Sequence, residues 1–345
     1  MTNMVQKNKT MLPRQKIILS LILILFLSGC HKKNRFHITT FENPVEVKIN
    51  RFDLDFIALD TTDMINSLKG LEQKHPAFYP VFLSDILMMN PKDTIDNAQQ
   101  ISNFLADTTF VKVHQKVKAT FQYTDTIEAK LSTAYSYLKH YFPNIRLPEI
   151  YFFVSGFNHQ YLQNESLFGI GSEMYLGAAY PTYREITHEY LISNMRKEMI
   201  AHDVLSSILH NEFNFGNDLN MLNVMIYEGK IVYLLSIIMP DERPENLMGY
   251  STDALEWCKK HEKHIWGTMI ENKHLYSTDH LLINQYVNDG PFTAPVSQKS
   301  PGRLGVWMGW QIVQSYMQNN KDVSLDDLMT NDSAQQILEQ SLYRP

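Results

Sequence analysis

The chain has 345 residues, 44% hydrophobic and 20% charged, values that suit a globular body and exclude collagen-like repeats, wholesale disorder and a polytopic membrane protein. The net charge of −6 hides an asymmetry: residues 1–29 carry Lys7, Lys9, Arg14 and Lys16 and no acid, so the rest holds 27 basic against 37 acidic residues, a charge of −10. A body that acidic repels a phosphate backbone, which sets nucleic-acid binding aside.

The first element is an address. Basic residues ending at Lys16 precede an apolar run from Ile17 to Leu27, the charged and apolar regions of a secretory signal, and the run is shorter than the roughly 20 residues that span a bilayer. It stops at Leu27-Ser28-Gly29-Cys30, which resembles the bacterial lipobox. The expectation is a signal peptide over residues 1–29, removed before a Cys30 that carries lipid, with two or three acyl chains holding the protein on a membrane far more firmly than one. His31, Lys32, Lys33 and Arg35 follow in place of the acidic cluster of surface-exported lipoproteins, which favours an anchor facing the periplasm. Cys258 is then left without an intrachain partner, and about 300 residues bury enough surface to fold without a disulfide.

Residues 30–41 read as a lipidated tether and residues 42–345 as one globular domain, without repeats or long Gly, Ser or Pro tracts. Val45, Val47 and Ile49 alternate with polar residues and predict a half-buried strand. From Thr61 to His140 the apolar spacing is helical, with Pro76, Pro80 and Pro91 as breakers, which predicts three or four helices. Ile150–Val154 reads as a strand, beside which Leu167–Ile170 and Met174–Leu176 would form a hairpin. Residues 192–212 and about Leu219 to Met239 predict two helices apolar on nearly all sides, as in buried central elements. The remainder reads as helices carrying Trp257, Trp266, Trp307 and Trp310, whose ring N–H groups usually find partners when buried. The fold class expected is α+β, predominantly helical with a small sheet.

Candidate chemistry centres on the first buried helix. His188-Glu189-Tyr-Leu-Ile192 begins like the zinc-protease HExxH motif but lacks its second histidine. His202-Asp203-Val-Leu-Ser206 has the better helical context, yet carries Asp for Glu and Ser for His. Glu228 follows 26 residues later, before Gly229, inside an apolar helix where a carboxylate is costly unless paired or bound to a metal. The order looks like a gluzincin-type, zincin-like layout whose metal chemistry is eroded, with His202, Asp203, Ser206 and Glu228 as its remnants. The favoured alternative is a structural polar cluster of His202, Glu228 and Arg303, in which the guanidinium forks onto the carboxylate; Lys230 is the other candidate cation. No nucleophile elbow, Cys/His constellation, P-loop or dinucleotide fingerprint is present, so no cofactor is expected. Cys258 reads as a small packing residue.

A series of blocks resembles the gliding motility lipoprotein B (GldB) family of Bacteroidetes. They run from Asn50-Arg-Phe-Asp53 and His75-Pro-Ala-Phe-Tyr-Pro80 through Glu173-Met-Tyr-Leu-Gly177 and Met225-Ile-Tyr-Glu-Gly-Lys230 to Leu247-Met-Gly-Tyr-Ser-Thr252 and Ser300-Pro-Gly-Arg303. The resemblance implies an envelope lipoprotein of the gliding and secretion machinery with no assigned catalytic residue. Its partners would be a membrane, through the lipid on Cys30, and other envelope proteins. The competing expectation is a zinc-dependent metallohydrolase with an atypical ligand set.

Overall fold

In the computed structural model, which describes residues 34–216 and 218–345, the segment from Val45 to Asn50 serves two neighbours in succession. The amides of Val45, Val47 and Ile49 donate to Ser136 Oγ, Ser132 Oγ and Glu128 Oε1 at 2.8, 2.9 and 3.1 Å, three side chains spaced four residues apart on the helix Asp125–Tyr141. Two strand residues advance about 6.6 Å and four helical residues about 6 Å, so an extended chain can climb that ladder without slipping. Only Ile49–Asn50 (β1) joins the sheet, and the strand expected from Val45 onward is shorter because its amides serve a helix. The expected signal peptide and lipid-bearing Cys30 lie outside the described residues. Packing gathers Ile38–Pro345 into one unit.

The helical stretch after β1 contains α1 (Phe52–Ile57), α2 (Met64–Lys74), α3 (Phe78–Val81, extended by a π turn over Phe82–Ile86), α4 (Thr94–Ala106), α5 (Thr108–Thr120) and α6 (Asp125–Tyr141). Pro80 does not break its helix, because it lies in the first turn, where the missing N–H has no carbonyl to serve. Asp93 and Asp107 cap the starts of α4 and α5 through their side chains.

Among the described residues the sheet has the order β1-β2-β4-β3, from β2 (Glu149–Phe153), β3 (Tyr161–Gln163) and β4 (Leu167–Gly171). β1 and β4 run parallel to β2, and β3 runs antiparallel to β4 at the edge. The hairpin is therefore β3–β4, and Met174–Leu176 belongs instead to a 3-10 turn and its exit. Tyr151 and Phe153 meet Phe52, Phe78 and Phe82 on one face, with the Phe78 and Tyr151 rings stacked at 4.5 Å. Such pairs contribute about 0.5–1.5 kcal/mol beyond their buried area.

The second half holds α7 (Tyr183–Ile186), α8 (Glu189–Ile192), α9 (Ile200–Glu212), α10 (Met221–Ile238), α11 (Pro244–Met248), α12 (Thr252–Glu271), α13 (His280–Val287), α14 (Leu304–Asn319), α15 (Leu325–Thr330) and α16 (Ala334–Ser341). α10 is long and apolar enough to cross a membrane, but most of it is buried inside this body. Val306, Trp310, Val313 and Met317, spaced four, three and four residues apart, form one apolar stripe of α14 and are all buried. At the crossing of α10 and α14 the backbones nearly touch: a Cβ on Gly309 would lie 1.8 Å from Met225 O, and one on Gly229 would lie 2.3 Å from Gly309 C. The Nε1 atoms of Trp307 and Trp310 are buried without a hydrogen-bond partner, contrary to the expectation for buried indoles.

Candidate binding cleft

His202, Ser206 and His210 recur every fourth residue on α9 and so share one face. That face forms the floor of a cleft of about 700 Å³, also lined by Asp203 and Ser207, by Gln160 and Tyr161 entering β3, by Glu228 of α10, and by Asp289 and Arg303. Ser207 Oγ donates to Gln163 Oε1 at 2.6 Å, fastening the helix to the edge strand. Each sequence-derived candidate, His202, Asp203, Ser206, Glu228 and Arg303, thus reaches the same cleft. By contrast His188 and Glu189 are exposed at the start of α8, outside it.

The pairings differ from those expected. Glu228 faces His210, whose Nε2 lies 3.3 Å from both carboxylate oxygens, while His210 Nδ1 lies 2.8 Å from the Ser206 carbonyl oxygen. Burial works against the imidazolium, but the Glu228 hydrogen bond and charge, aided by the Ser206 carbonyl, outweigh it and raise the His210 pKa. Arg303 donates through Nη1 to Met248 O at 2.9 Å, and its Nε lies 3.8 Å from Asp289 Oδ1. Lys230 points away and donates to Asn331 O. The direct fork of Arg303 onto Glu228 is therefore replaced by a histidine–carboxylate pair. The premise of a deeply buried Glu228 fails as well, since its side chain opens into the cleft and stays 21% exposed.

His202 is buried with both ring nitrogens committed: Nδ1 lies 2.9 Å from Asp203 Oδ1 and Nε2 3.2 Å from Leu247 O. Asp203 Oδ2 accepts from the Tyr175 hydroxyl at 2.8 Å and from Gln160 Nε2 at 3.3 Å. Burial, reinforced by the Asp203 charge, keeps the Tyr175 hydroxyl protonated and donating. Among the described residues, no three His, Cys, Asp or Glu side chains converge as a metal-binding group.

Arg303 also lines a second cavity of about 430 Å³, which shares Asn194, Gly249 and Asp289 with the cleft. Its backbone sits in the left-handed region at φ 58°, a conformation that costs a non-glycine residue roughly 1–2 kcal/mol. Two sequence blocks hold it there: Tyr250 donates to Gly302 O at 2.7 Å, while Arg303 itself reaches Met248 O.

Two residues escaped the sequence reading. His210 was legible as the next member of the four-residue series on α9. Glu173, quoted only within a block, is fully buried, and its Oε1 accepts from Ser155 N, Ser155 Oγ and Phe157 N at 2.6, 2.8 and 3.1 Å. Burial raises its pKa against those donors, and Oε2 has no partner. The carboxyl group pins the loop that delivers the chain to β3, where Gly156 and Phe157 both have positive φ. Cys258 is buried, with its thiol pushed up to about 12, in keeping with packing rather than reactivity.

The family model for the gliding motility protein GldB matches residues 32–345. The chain belongs to the GldB family. No curated protein and no solved structure matches it, so the zincin-like layout has no support from fold comparison. Family membership supports a gliding motility lipoprotein and suggests a cell-envelope location.

Proposed function

We propose that this chain is a lipid-anchored envelope protein, held through Cys30 and facing the periplasm, that acts without catalysis through protein contacts in the gliding and secretion machinery. The observation that carries the reading is the GldB match across 32–345. The cleft agrees with it, because its titratable groups are engaged with one another: His202 with Asp203 and Leu247, and Glu228 with His210. Replacing Cys30 by Ala is expected to abolish fatty-acid labelling and release the protein from the membrane fraction; labelling that persists overturns the anchor. Stoichiometric zinc in unchelated protein, with a melting temperature that falls on chelation and recovers with zinc, would overturn the non-catalytic reading in favour of a metallohydrolase.

A further inference from the structure

Among the described residues β3 is one of the two edge strands of the sheet, and its register fixes which backbone groups face outward. Gly171 N donates to Gln160 O and Asn164 N donates to Leu167 O, which bracket the β3–β4 ladder in the register Tyr161↔Ile170 and Gln163↔Phe168. In an antiparallel pair the bonded residues alternate, so Gln160, Leu162 and Asn164 turn their N–H and C=O groups toward β4. Tyr161 and Gln163 turn theirs off the sheet, and among the described residues those groups have no backbone partner. An open edge of this kind is a template for one more strand.

The edge adjoins the cleft, since Gln160 and Tyr161 line it and Ser207 of its floor is bonded to Gln163. The charged lining is acidic on balance: Asp203, Glu228 and Asp289 stand against Arg303 and two histidines. Asp289 is the most available of the three, 60% exposed and only loosely paired with Arg303. The body as a whole carries the same sign of charge.

We propose that the cleft binds an extended, basic segment of a partner polypeptide, added as a strand to the outward edge at Tyr161 and Gln163, with Lys or Arg side chains directed at Asp289 and Glu228. This rests on the protein-contact reading above and names its chemistry. Backbone hydrogen bonds at Tyr161 and Gln163 supply affinity for any extended chain, and the carboxylates supply the preference for positive side chains.

The test uses the full-length lipoprotein in detergent and a phage-displayed library of random dodecapeptides. Selected peptides are expected to be rich in Lys or Arg. Synthetic copies should slow hydrogen exchange at the Tyr161 and Gln163 amides, and N-methylation at alternate peptide residues should weaken binding at least tenfold. Tyr161→Pro removes an outward-facing N–H together with the ring stacked on Phe168 at 5.5 Å, so it is compared with Tyr161→Leu, which loses the same ring but keeps the N–H; the Pro variant should bind at least tenfold more weakly than the Leu variant. Asp289→Asn should reduce the preference for Lys over Glu in the peptide. The proposal is overturned by the absence of any selected binder, by binding that leaves those two amides unprotected, or by peptides indifferent to N-methylation. Membrane fractionation of Cys30→Ala reads the anchor independently, so a failed cleft leaves the envelope reading standing and a failed anchor leaves the cleft untouched.

Discussion

Glu228 and Gly229 are neighbours on α10, yet they belong to two different kinds of structure. Gly229 is pressed against Gly309 of α14, where the gap between backbones cannot admit a methyl group, whereas Glu228 looks into a polar cleft and pairs with His210. One helix thus carries a seam of backbone contact and a face of adjustable side chains. The seam is rigid because peptide atoms have nowhere to move. The cleft is forgiving, because water and alternative partners reach its charges. Substitutions on the two faces should therefore differ in size and in their dependence on pH.

The seam should give the largest effect. Gly309→Ala places a Cβ within 1.8 Å of Met225 O, a backbone atom that yields only if the two helices separate. A destabilisation of about 5 kcal/mol or more is expected, read as loss of folded protein or a collapse of the denaturant midpoint. A Gly309→Ala protein that melts like the parent would show that the crossing is looser than described. Next comes Trp310→Ala, which empties a buried indole site on the same helix and should cost roughly 3–5 kcal/mol. No hydrogen bond is lost from Trp310 Nε1, so that cost is one of cavity and transfer alone.

The seam was more legible in the sequence than the cleft. An all-round apolar helix and a four-three-four stripe with Gly305 and Gly309 one turn apart announce packing, because burial and close approach restrict residue type position by position. The candidates His202, Asp203, Ser206, Glu228 and Arg303 line one cleft, but the pairings inside it differ from those expected. An apolar helix around Glu228 implies a sealed carboxylate that needs Arg303, but the side chain opens into the cleft, where His210 meets it. Which cation meets which carboxylate depends on the packing angles of α9, α10 and α14, and no periodicity encodes those. The β3–β4 hairpin was displaced for a related reason. Tyr161–Gln163 is only three residues long and gives weak alternation, and its place is fixed by the Ser155–His159 loop that Glu173 holds.

Glu173 tests that loop at an intermediate scale. Glu173→Ala leaves the Ser155 and Phe157 amides without their acceptor in a buried site, which should cost roughly 2–4 kcal/mol. Glu173→Gln keeps an oxygen for the same donors and should cost less. The two differ in pH dependence as well. Burial raises the folded carboxyl pKa above its ordinary value, so the parent is not penalised at pH below that value, where folded and unfolded states are both protonated. As pH rises through the ordinary carboxyl range toward the folded value, the unfolded state ionises more readily and the parent loses stability, after which the loss levels off. Glu173→Gln should lack this descent. Parallel pH–stability curves for parent and Gln variant would mean that Glu173 is ionised and accommodated.

The smallest effect belongs to the cleft pair. The Glu228 hydrogen bond, against the opposing effect of burial, raises the His210 pKa, so the pair's contribution is complete below the ordinary imidazole value and disappears as pH rises through the folded one. With 36% of the His210 side chain and 21% of the Glu228 side chain exposed, solvent screening holds that contribution to about 1 kcal/mol or less. Glu228→Gln should therefore melt slightly below the parent in mildly acidic solution and converge with it in alkaline solution. In the same variant the His210 ring, followed by NMR, should titrate at lower pH, because the amide leaves burial and Arg303 opposed only by the Ser206 carbonyl. A variant that stays several kcal/mol less stable at every pH would show that Glu228 supports the α10–α14 seam itself, and the contrast between the two faces of α10 would have to be withdrawn.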